Sequence, residues 1–311
     1  MKPRTSKLVS LLEAARGIPS GASITAGGFA ISHQPLAFTR ELIRNGVHDL
    51  TLIGMAECWV AEWLCGTAAL RRTYMSNFML EGFGRCRRFS AAVESGELEV
   101  EDHSHFGITA RLVAAGLGLP FMPVRSMAGS DILAKAGFET PEHKYHTLRS
   151  PFGGGDAVTL LSALHPDFAI LHVAKADEQG NVQTYGSAAI VAEQARAAKF
   201  VIVTAEEIVT TDEIRRHPES TLIPALMVHQ VVHVPYGAHP TGVYGYYDHD
   251  AAHLAEYYEA SRSEEGTRAY FRKYVDEAPD HYAYLDRIGV SRLMALRVDP
   301  ALGYVRNRGA L

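Results

Sequence analysis

Short apolar runs alternate with helical patterns along most of the chain. Residues 22–26 are predicted to form a buried strand, and the apolar positions between Leu36 and Ile43 recur at helical spacing. Gly46 ends that helix, and residues 49–54 are predicted to form the next strand. This order of strand, turn, helix and strand is a βαβ unit, so it predicts parallel strands that are covered by helices.

The same alternation repeats towards the carboxyl terminus. Residues 177–181 have the composition of a turn, so the strands on either side are expected to pair antiparallel. Residues 128–156 break the pattern with Gly, Pro, Lys and His, and we interpret them as a long excursion or lid. The predicted fold class is therefore α/β, with an open and mostly parallel sheet flanked by helices. Further strands are predicted at 72–75, 98–101, 121–124, 158–161, 168–173, 182–185, 201–204 and 227–234, and further helices at 60–64, 89–94 and 107–117.

The last part of the chain is helical and rich in tyrosine. From Asp250 onwards, aromatic residues such as Tyr257 and Tyr270 recur at i, i+3 and i+4 spacing, which is typical of core packing rather than of a cofactor site. We therefore predict an α/β domain over residues 1–249 and a helical carboxyl-terminal extension over residues 250–311 that packs on the same domain.

Composition narrows the possible classes of protein. The 311 residues carry a formal net charge of −5, and 47% are hydrophobic while 21% are charged, which excludes a disordered chain, a collagen and a coiled coil. The acidic balance argues against nucleic acid as a partner. No apolar run reaches the roughly 18 residues that a membrane span needs. Three cysteines without metal or redox spacing fit a reducing cytoplasm, where we expect the protein to be.

Familiar catalytic and metal-binding motifs do not appear in the sequence. It has no G-x-G-x-x-G after a strand, no G-x-x-x-x-G-K-[ST] and no G-x-S-x-G, which disfavours a dinucleotide enzyme, a P-loop NTPase and an α/β-hydrolase. His229 and His233 lie in a β-branched run, where a separation of four residues spans about 13 Å, too far to share one ion. We expect no metal site and no tightly bound cofactor.

The candidates for chemistry lie at or near predicted strand ends. Gly27 and Gly28 follow the first strand, where they either let backbone N–H groups approach a ligand or only form a tight turn. Glu81 lies beside glycine and either lines a pocket or serves solubility. The arginines at 71, 72, 85, 87 and 88 form a basic cluster that either meets phosphates or covers a solvated helix face.

Six short motifs follow one another along the chain. Each is weak evidence for a family by itself, but their number and order together are specific. They are Ile24–Phe29 (ITAGGF), Glu97–Glu101 (ELEVE), His165–Val173 (HPDFAILHV), Ala176–Asn181 (ADEQGN), Val203–Ile208 (VTAEEI) and Pro235–Pro240 (PYGAHP). Together they resemble the α half of family I coenzyme A-transferases, in particular the glutaconate branch of that family. The tyrosine-rich extension distinguishes the chain from the shorter α chains of ketoacid transferases.

This resemblance implies an enzyme made of two halves. A partner β subunit would carry a glutamate that attacks the acyl-coenzyme A thioester, forming first an acyl–glutamyl anhydride and then a glutamyl-coenzyme A thioester. The coenzyme A thioester is thus a substrate, and the present chain would supply part of the pocket beside the acyl group. The substrate-binding residues that we predict are Gly27, Gly28, Phe29, Glu81, Gly129 and Ser130.

One position departs from the family pattern. The α chains of transferases commonly place glutamine before the helix near Gly107, where this chain has His105, and a related ring-opening hydrolase has glutamate there. An imidazole can donate to a thioester oxygen or move a proton near neutral pH, so we predict His105 as the catalytic residue of this chain. The alternative is a polar residue that bonds to backbone at the helix start.

The predicted function is that of the α subunit of a heteromeric coenzyme A-transferase for a dicarboxylic or related acid. Two alternatives stay open. One is a hydrolase or lyase of the same fold that cleaves a C–C bond or decarboxylates an acyl-coenzyme A, since a fold does not fix a reaction. The other is a structural subunit that only shapes the site of its partner.

Overall fold

The computed structural model describes residues 6–152, 155 and 157–305. The strands are β1 (Ser23–Ala26), β2 (Leu50–Ile53), β3 (Leu70–Met75), β4 (Glu99–Asp102), β5 (Phe121–Val124), β6 (Tyr145–Arg149), β7 (Ala157–Ser162), β8 (Phe168–Asp177), β9 (Val182–Gln183), β10 (Phe200–Val209), β11 (Thr221–Ile223) and β12 (Gln230–His233). The α-helices are α1 (Leu11–Arg16), α2 (Leu36–Arg44), α3 (Cys58–Gly66), α4 (Arg87–Ser95), α5 (His105–Gly116), α6 (Asp131–Ala134), α7 (Pro141–Lys144), α8 (Val191–Ala197), α9 (Thr211–Arg216), α10 (Ala251–Ala260), α11 (Glu264–Phe271), α12 (His281–Ile288) and α13 (Val290–Leu296). Short 3₁₀ turns lie at Glu81–Phe83, Pro218–Ser220 and Ala225–Met227, and a π-helical turn lies at Arg272–Asp276.

The main sheet is open and mostly parallel, which confirms the predicted fold class. Seven strands run parallel in the order β12-β10-β8-β1-β2-β3-β4, so that Ile24 of β1 lies between Leu52 of β2 and Phe168 of β8. The two strands β9 and β11 add antiparallel pairs beyond the end of β1. The chain turns back after β8, and β9 pairs antiparallel with the end of β8, so that Lys175 lies opposite Gln183. This confirms the antiparallel pairing predicted from the turn at 177–181.

Both faces of this sheet are apolar because both are covered. Along β8, Ile170 belongs to one hydrophobic cluster, whereas Ala169 and Leu171 belong to another on the opposite face. The same alternation separates Ile202 from Val203 in β10. Strands buried on two faces read as continuous apolar runs, and this is why the sequence pattern identifies them without alternation.

Two of the predicted strands belong to a second sheet and not to the main parallel sheet. Phe121–Val124 and Ala157–Ser162 do form, but they pair antiparallel with each other and with Tyr145–Arg149 in a separate three-stranded sheet. The excursion at 128–149 supplies the third strand and two short helices. Gly153, Gly154 and Asp156, which end the predicted lid, lie outside the described residues.

A buried ion-pair cluster fixes this excursion to the main sheet. Lys144 at the end of α7 lies 2.5 Å from Glu101 of β4, and both side chains are almost fully buried. Arg111 of α5 binds Glu139 through two nitrogens at 2.9 Å. The Tyr74 hydroxyl donates to the same carboxylate. Charge pairing therefore anchors the excursion, in addition to an apolar cluster in which Ile132 and Leu133 pack near Ala110 of α5.

The carboxyl-terminal helices pack on the main core through aromatic rings. Tyr257 and Tyr270 are buried against Trp63 of α3, at ring-centroid distances of 6.0 and 6.1 Å. These residues all belong to the same hydrophobic cluster as strands β1 and β2. The core role predicted for the aromatic stripe is confirmed, while the division of the chain at residue 249 stays a prediction. Within the residues that the structure describes, no helix is both long and apolar enough to cross a membrane.

A buried cation joins the extension to the sheet side of the molecule. The Arg40 guanidinium lies 3.6 Å from the ring centre of Tyr284 and donates to the His239 carbonyl oxygen. It also lies 3.3 Å from Nδ1 of His281, whose Nε2 is 2.7 Å from the Pro235 carbonyl oxygen. Arginine can only donate a hydrogen bond, so Nδ1 of His281 accepts one, and a carbonyl oxygen can only accept, so Nε2 donates one. The His281 ring is therefore held neutral with its proton on Nε2.

We expect His281 to make the protein sensitive to acid. Burial, and after it the Arg40 charge, lowers the pKa of His281 from 6.5 to about 3. Between pH 6.5 and 3 this histidine takes up a proton in the unfolded chain but not in the folded one. The free energy of unfolding is therefore unaffected by His281 above pH 6.5 and decreases as the pH falls towards 3. The loss should be about 1.4 kcal/mol per pH unit within that window. Urea unfolding of His281→Gln at a series of pH values should show a slope shallower by that amount, with the exposed His165→Gln as the imidazole control. An unchanged slope would contradict the assignment.

Candidate active site

The carboxyl ends of four neighbouring parallel strands meet at one edge of the main sheet. Residues 27–29 follow β1, residues 54–57 follow β2, Ser76 follows β3, and His105 comes shortly after β4. Ligands of open α/β sheets bind in the crevice outside such an edge. The structure thus places the predicted glycine turn and the predicted histidine on the same side of the molecule.

The glycine turn is tightly built. Gly28 has a φ of +98°, and a Cβ at this position would lie 2.6 to 2.7 Å from backbone atoms of Ser32, His33 and Gln34. A Cβ on Gly27 would lie 3.2 Å from the Leu171 backbone. Gly28 therefore needs to be glycine for the path of the chain itself, and Gly27 has little room for a side chain. Their role beside a substrate stays a prediction.

We expect substitution of Gly28 to lower stability as well as any activity. Gly28→Ala adds a steric overlap with rigid backbone to the cost of a positive φ, and we expect a loss of at least about 2 kcal/mol in the free energy of unfolding. Gly96→Ala is the matched control, because Gly96 has a φ of +81° with open space around its Cβ position. Gly28→Ala should lower the free energy of unfolding more than Gly96→Ala, and the difference should equal the cost of the steric overlap. Equal losses in urea unfolding would show that Gly28 is not crowded.

Two buried glutamines hold the turn in place. The Gln34 amide donates to the Ala30 carbonyl, and its oxygen accepts from the Trp59 and Val60 N–H groups at the start of α3. Gln194 of α8 lies on the other side, where its amide donates to the Ala26 carbonyl at 2.7 Å. The backbone around the glycines is therefore fixed by one side chain from the segment before α2 and one from α8, which sequence patterns did not reveal.

Glu57 is a fully buried carboxylate at this edge. It accepts from the N–H groups of Met55 and Ala56 and from the Gln194 amide. Burial raises the pKa of Glu57 to about 7, although these hydrogen bonds act in the opposite direction. Its task in the described structure is to shape the turn after β2, since the side chain has no exposed surface.

The histidine lies within the first turn of α5 and does not cap it. Ser104 is the N-cap, and its hydroxyl accepts from the Gly107 N–H at 2.9 Å. The helix begins at His105 rather than at the predicted Gly107, because this cap lies two residues further back than the apolar pattern suggests. The His105 ring is exposed, and its Nδ1 lies 2.8 Å from the Ser76 hydroxyl. The alternative interpretation of His105 as the capping residue is therefore wrong.

Gly129 and Ser130 lie in the loop after β5 and are exposed. This loop reaches the start of α5, since Ser126 and Ser104 share a hydrogen bond of 2.6 Å and Met127 packs on Gly107. Ser130 uses its hydroxyl locally, as a donor to the Met127 carbonyl. The loop that carries both predicted residues is thus anchored at the start of α5, while their contact with a substrate stays a prediction.

Glu81 lies on the exposed 3₁₀ turn after β3, with a φ of +48°. The turn packs on the extension, because a Cβ on Gly84 would lie 2.6 Å from the Tyr258 hydroxyl. Burial raises the pKa of the Cys58 thiol to about 12, and the Glu81 carboxylate adds to that shift. Glu81 therefore lies on the α3 side of the edge, and its contact with a substrate stays a prediction.

Three potential metal ligands near this edge lie beside two cations. Glu101, His103 and Glu139 have ligand atoms within 4.8 Å of one another. Lys144 and Arg111 already neutralise the two carboxylates, and Arg111 lies 2.8 Å from Nε2 of His103. Burial, and after it the Arg111 charge, lowers the pKa of His103 well below its usual range. A cation would meet a charge-balanced cluster, which lacks the negative charge that attracts it.

An open parallel sheet with an exposed histidine and a glycine turn at one edge is the architecture of an α/β enzyme that binds its substrate outside the strand ends. A family model described as coenzyme A transferase matches residues 9–234. The chain therefore belongs to the coenzyme A transferase family, whose substrates are coenzyme A thioesters.

Individual relatives share both sequence and fold with the chain. The A subunit of glutaconate CoA-transferase from Acidaminococcus fermentans is 36% identical, with 96% of this chain and 97% of that protein covered. The A subunit of 3-oxoadipate CoA-transferase from Pseudomonas knackmussii is 33% identical, with 91% and 98% covered. The crystal structure of glutaconate coenzyme A-transferase from A. fermentans matches with a TM-score of 0.91 over 96% of this chain and 98% of the other, at 35% identity. The decarboxylase AibA/AibB matches with a TM-score of 0.75 over 86% and 98%, at 33% identity.

Proposed function

We propose that this chain is the α subunit of a heteromeric coenzyme A-transferase. It acts with a β subunit to move coenzyme A from the acyl-coenzyme A of a dicarboxylic or related acid to a carboxylate acceptor. The observation that carries the proposal is the end-to-end likeness to one chain of a glutaconate CoA-transferase, in sequence and in fold, including the carboxyl-terminal extension.

The proposed chemistry conserves the energy of the thioester in two exchanges. A glutamate from the β half of the enzyme attacks the thioester carbonyl and releases the coenzyme A thiolate, which leaves an acyl–glutamyl anhydride. The thiolate then attacks the glutamyl carbonyl and releases the acyl carboxylate. The acceptor carboxylate reverses these steps with the resulting glutamyl-coenzyme A thioester. No tightly bound cofactor is needed, because both reacting groups come from the substrates and the partner.

The carboxylates buried near the edge of this chain support a nucleophile on the partner. Glu57 accepts two backbone N–H groups and one amide, and Glu101 is paired with Lys144. Glu206 accepts from the Tyr247 hydroxyl at 2.6 Å and from the Gly237 N–H at 3.0 Å. Each of these groups is held by its own partners, so none of the three is free to attack a thioester.

The roles proposed for this chain are positioning and polarisation. Gly27, Gly28 and Phe29 form the floor beside the acyl group, and His105 faces the reacting carbonyl. Phe29 packs against a hydrophobic cluster that contains Met55 and Ile108 of α5. This contact supports a shared substrate position for the glycine turn and the histidine, and in this proposal Glu81, Gly129 and Ser130 lie on the rim of that position.

An assay of the separated and combined subunits tests this function. The chain with its β subunit should transfer coenzyme A from glutaconyl-coenzyme A to acetate, and the chain alone should not. The interface should bury more than about 2,000 Å², as obligate interfaces do. Release of free coenzyme A without an acceptor would support hydrolysis, and release of CO₂ would support decarboxylation. Full transfer by the isolated chain would contradict the proposal.

A further inference from the structure

The hydroxyl of Ser76 lies between two groups with different hydrogen-bonding capacities. Its Oγ is 2.8 Å from the Met55 carbonyl oxygen and 2.8 Å from Nδ1 of His105. A carbonyl oxygen can only accept a hydrogen bond, and a hydroxyl has one proton to give. The Ser76 proton therefore goes to Met55, and Ser76 must accept from the histidine.

The Met55 carbonyl is itself fixed. The Met55 N–H is held by the buried Glu57 carboxylate, and the Asn77 N–H donates to the Met55 carbonyl at 3.3 Å. The acceptor that orients the Ser76 hydroxyl is therefore part of a rigid turn. The orientation of the hydroxyl follows from this turn and does not depend on a bound substrate.

We propose that Ser76 is a positioning residue, which holds the His105 ring with Nδ1–H turned inward and the Nε2 lone pair turned towards the substrate. The inference rests on the proposed function only for the identity of that substrate. The neutral ring then presents an acceptor, and it can donate to an acyl oxygen only after a proton is added at Nε2. All proton exchange between His105 and the site takes place at this one nitrogen.

The same geometry predicts what a glutamine substituted for His105 would do. A Gln side chain at position 105 can donate one amide N–H to Ser76 and has a second amide N–H that can donate to an acyl oxygen. Glutamine would thus keep both hydrogen bonds of a histidine protonated at Nε2, while only histidine can take up and release a proton.

The tautomer can be measured directly by NMR. The full chain, labelled with ¹⁵N-histidine and bound to its unlabelled β partner, should show His105 protonated at Nδ1 in the neutral state. The signal is assigned by its loss in His105→Gln. A neutral ring that carries its proton mainly on Nε2 would overturn the inference. This readout is independent of turnover, so an Nδ1–H ring in a complex without transferase activity would refute the proposed function and leave the inference standing.

Kinetics of the same complex supply the second test. Ser76→Ala should lower kcat about tenfold with little change in KM, because the ring loses its fixed orientation. Ser76→Thr keeps the hydroxyl and should restore most of that loss. Ser95→Ala removes a hydroxyl bonded only to a carbonyl of its own helix and serves as the matched control. Wild-type kcat in Ser76→Ala, or failure of Ser76→Thr to recover activity in a folded protein, would overturn the assignment.

Discussion

Replacing His105 with alanine is expected to lower kcat/KM of the reconstituted complex by about 100-fold, whereas glutamine should retain activity to within about fivefold. The reason is that one oriented hydrogen bond to the reacting group in a water-excluded site contributes roughly 3 kcal/mol to transition-state stabilisation. Glutamine keeps that bond and the contact with Ser76 but cannot move a proton. Steady-state assays with varied acyl-coenzyme A measure both variants.

The pair of variants also separates the reactions open to this fold. In coenzyme A transfer the carboxylates and the thiolate exchange without an obligatory proton, so the glutamine variant stays active. In hydrolysis or C–C cleavage a proton must move, so both variants should be inactive. Wild-type kcat/KM in His105→Ala would show that the histidine plays no part and that the site lies elsewhere on the edge.

Lys144→Met is expected to cause the largest loss of stability. The substitution leaves the Glu101 carboxylate, which has no exposed surface, without its cation. Breaking a buried ion pair on one side costs roughly 3 kcal/mol or more, because the remaining charge is still desolvated. Urea unfolding of the full chain measures the change. Limited proteolysis at 130–150 shows whether the excursion detaches before the rest.

Two further variants make this result interpretable. Lys199→Met removes an exposed cation that lies 2.8 Å from Asp167, and it should cost less than about 1 kcal/mol. Glu101→Leu combined with Lys144→Met removes both buried charges and should recover most of the loss. If Lys144→Met costs no more than Lys199→Met, the buried pair does not hold the excursion.

The parallel sheet could be predicted from the sequence because its signal is local. Each strand of the βαβ units is a short apolar run followed by a turn and a helix, and the helix α2 begins and ends close to the predicted positions. The three-stranded sheet could not be predicted, since its strand Tyr145–Arg149 is mostly exposed and carries little apolar periodicity. Its pairing depends on contacts that are distant in the chain.

The candidate site could be predicted only in part. Gly28 and His105 stand out because glycine pairs and histidines at strand ends are distinctive residue types. Ser76, Gln34 and Gln194 were missed, because common polar residues acquire meaning only when the fold supplies their partners. For Ser76 a signal did exist, since it directly follows β3 at the same edge. For the basic cluster, the fold supplies partners that the sequence does not show, since Arg71 and Arg72 both pair with Glu99 on the neighbouring strand.

The measurement that tests the account most directly is the location of the covalent intermediate. The complex is incubated with acyl-coenzyme A in the absence of an acceptor, reduced with borohydride and mapped by peptide mass spectrometry. We expect one glutamate of the β subunit to be modified, whereas Glu57, Glu81 and the other glutamates of this chain should not be. A modified glutamate in this chain would contradict the assignment of the nucleophile to the partner, and turnover without any glutamyl intermediate would contradict coenzyme A transfer itself.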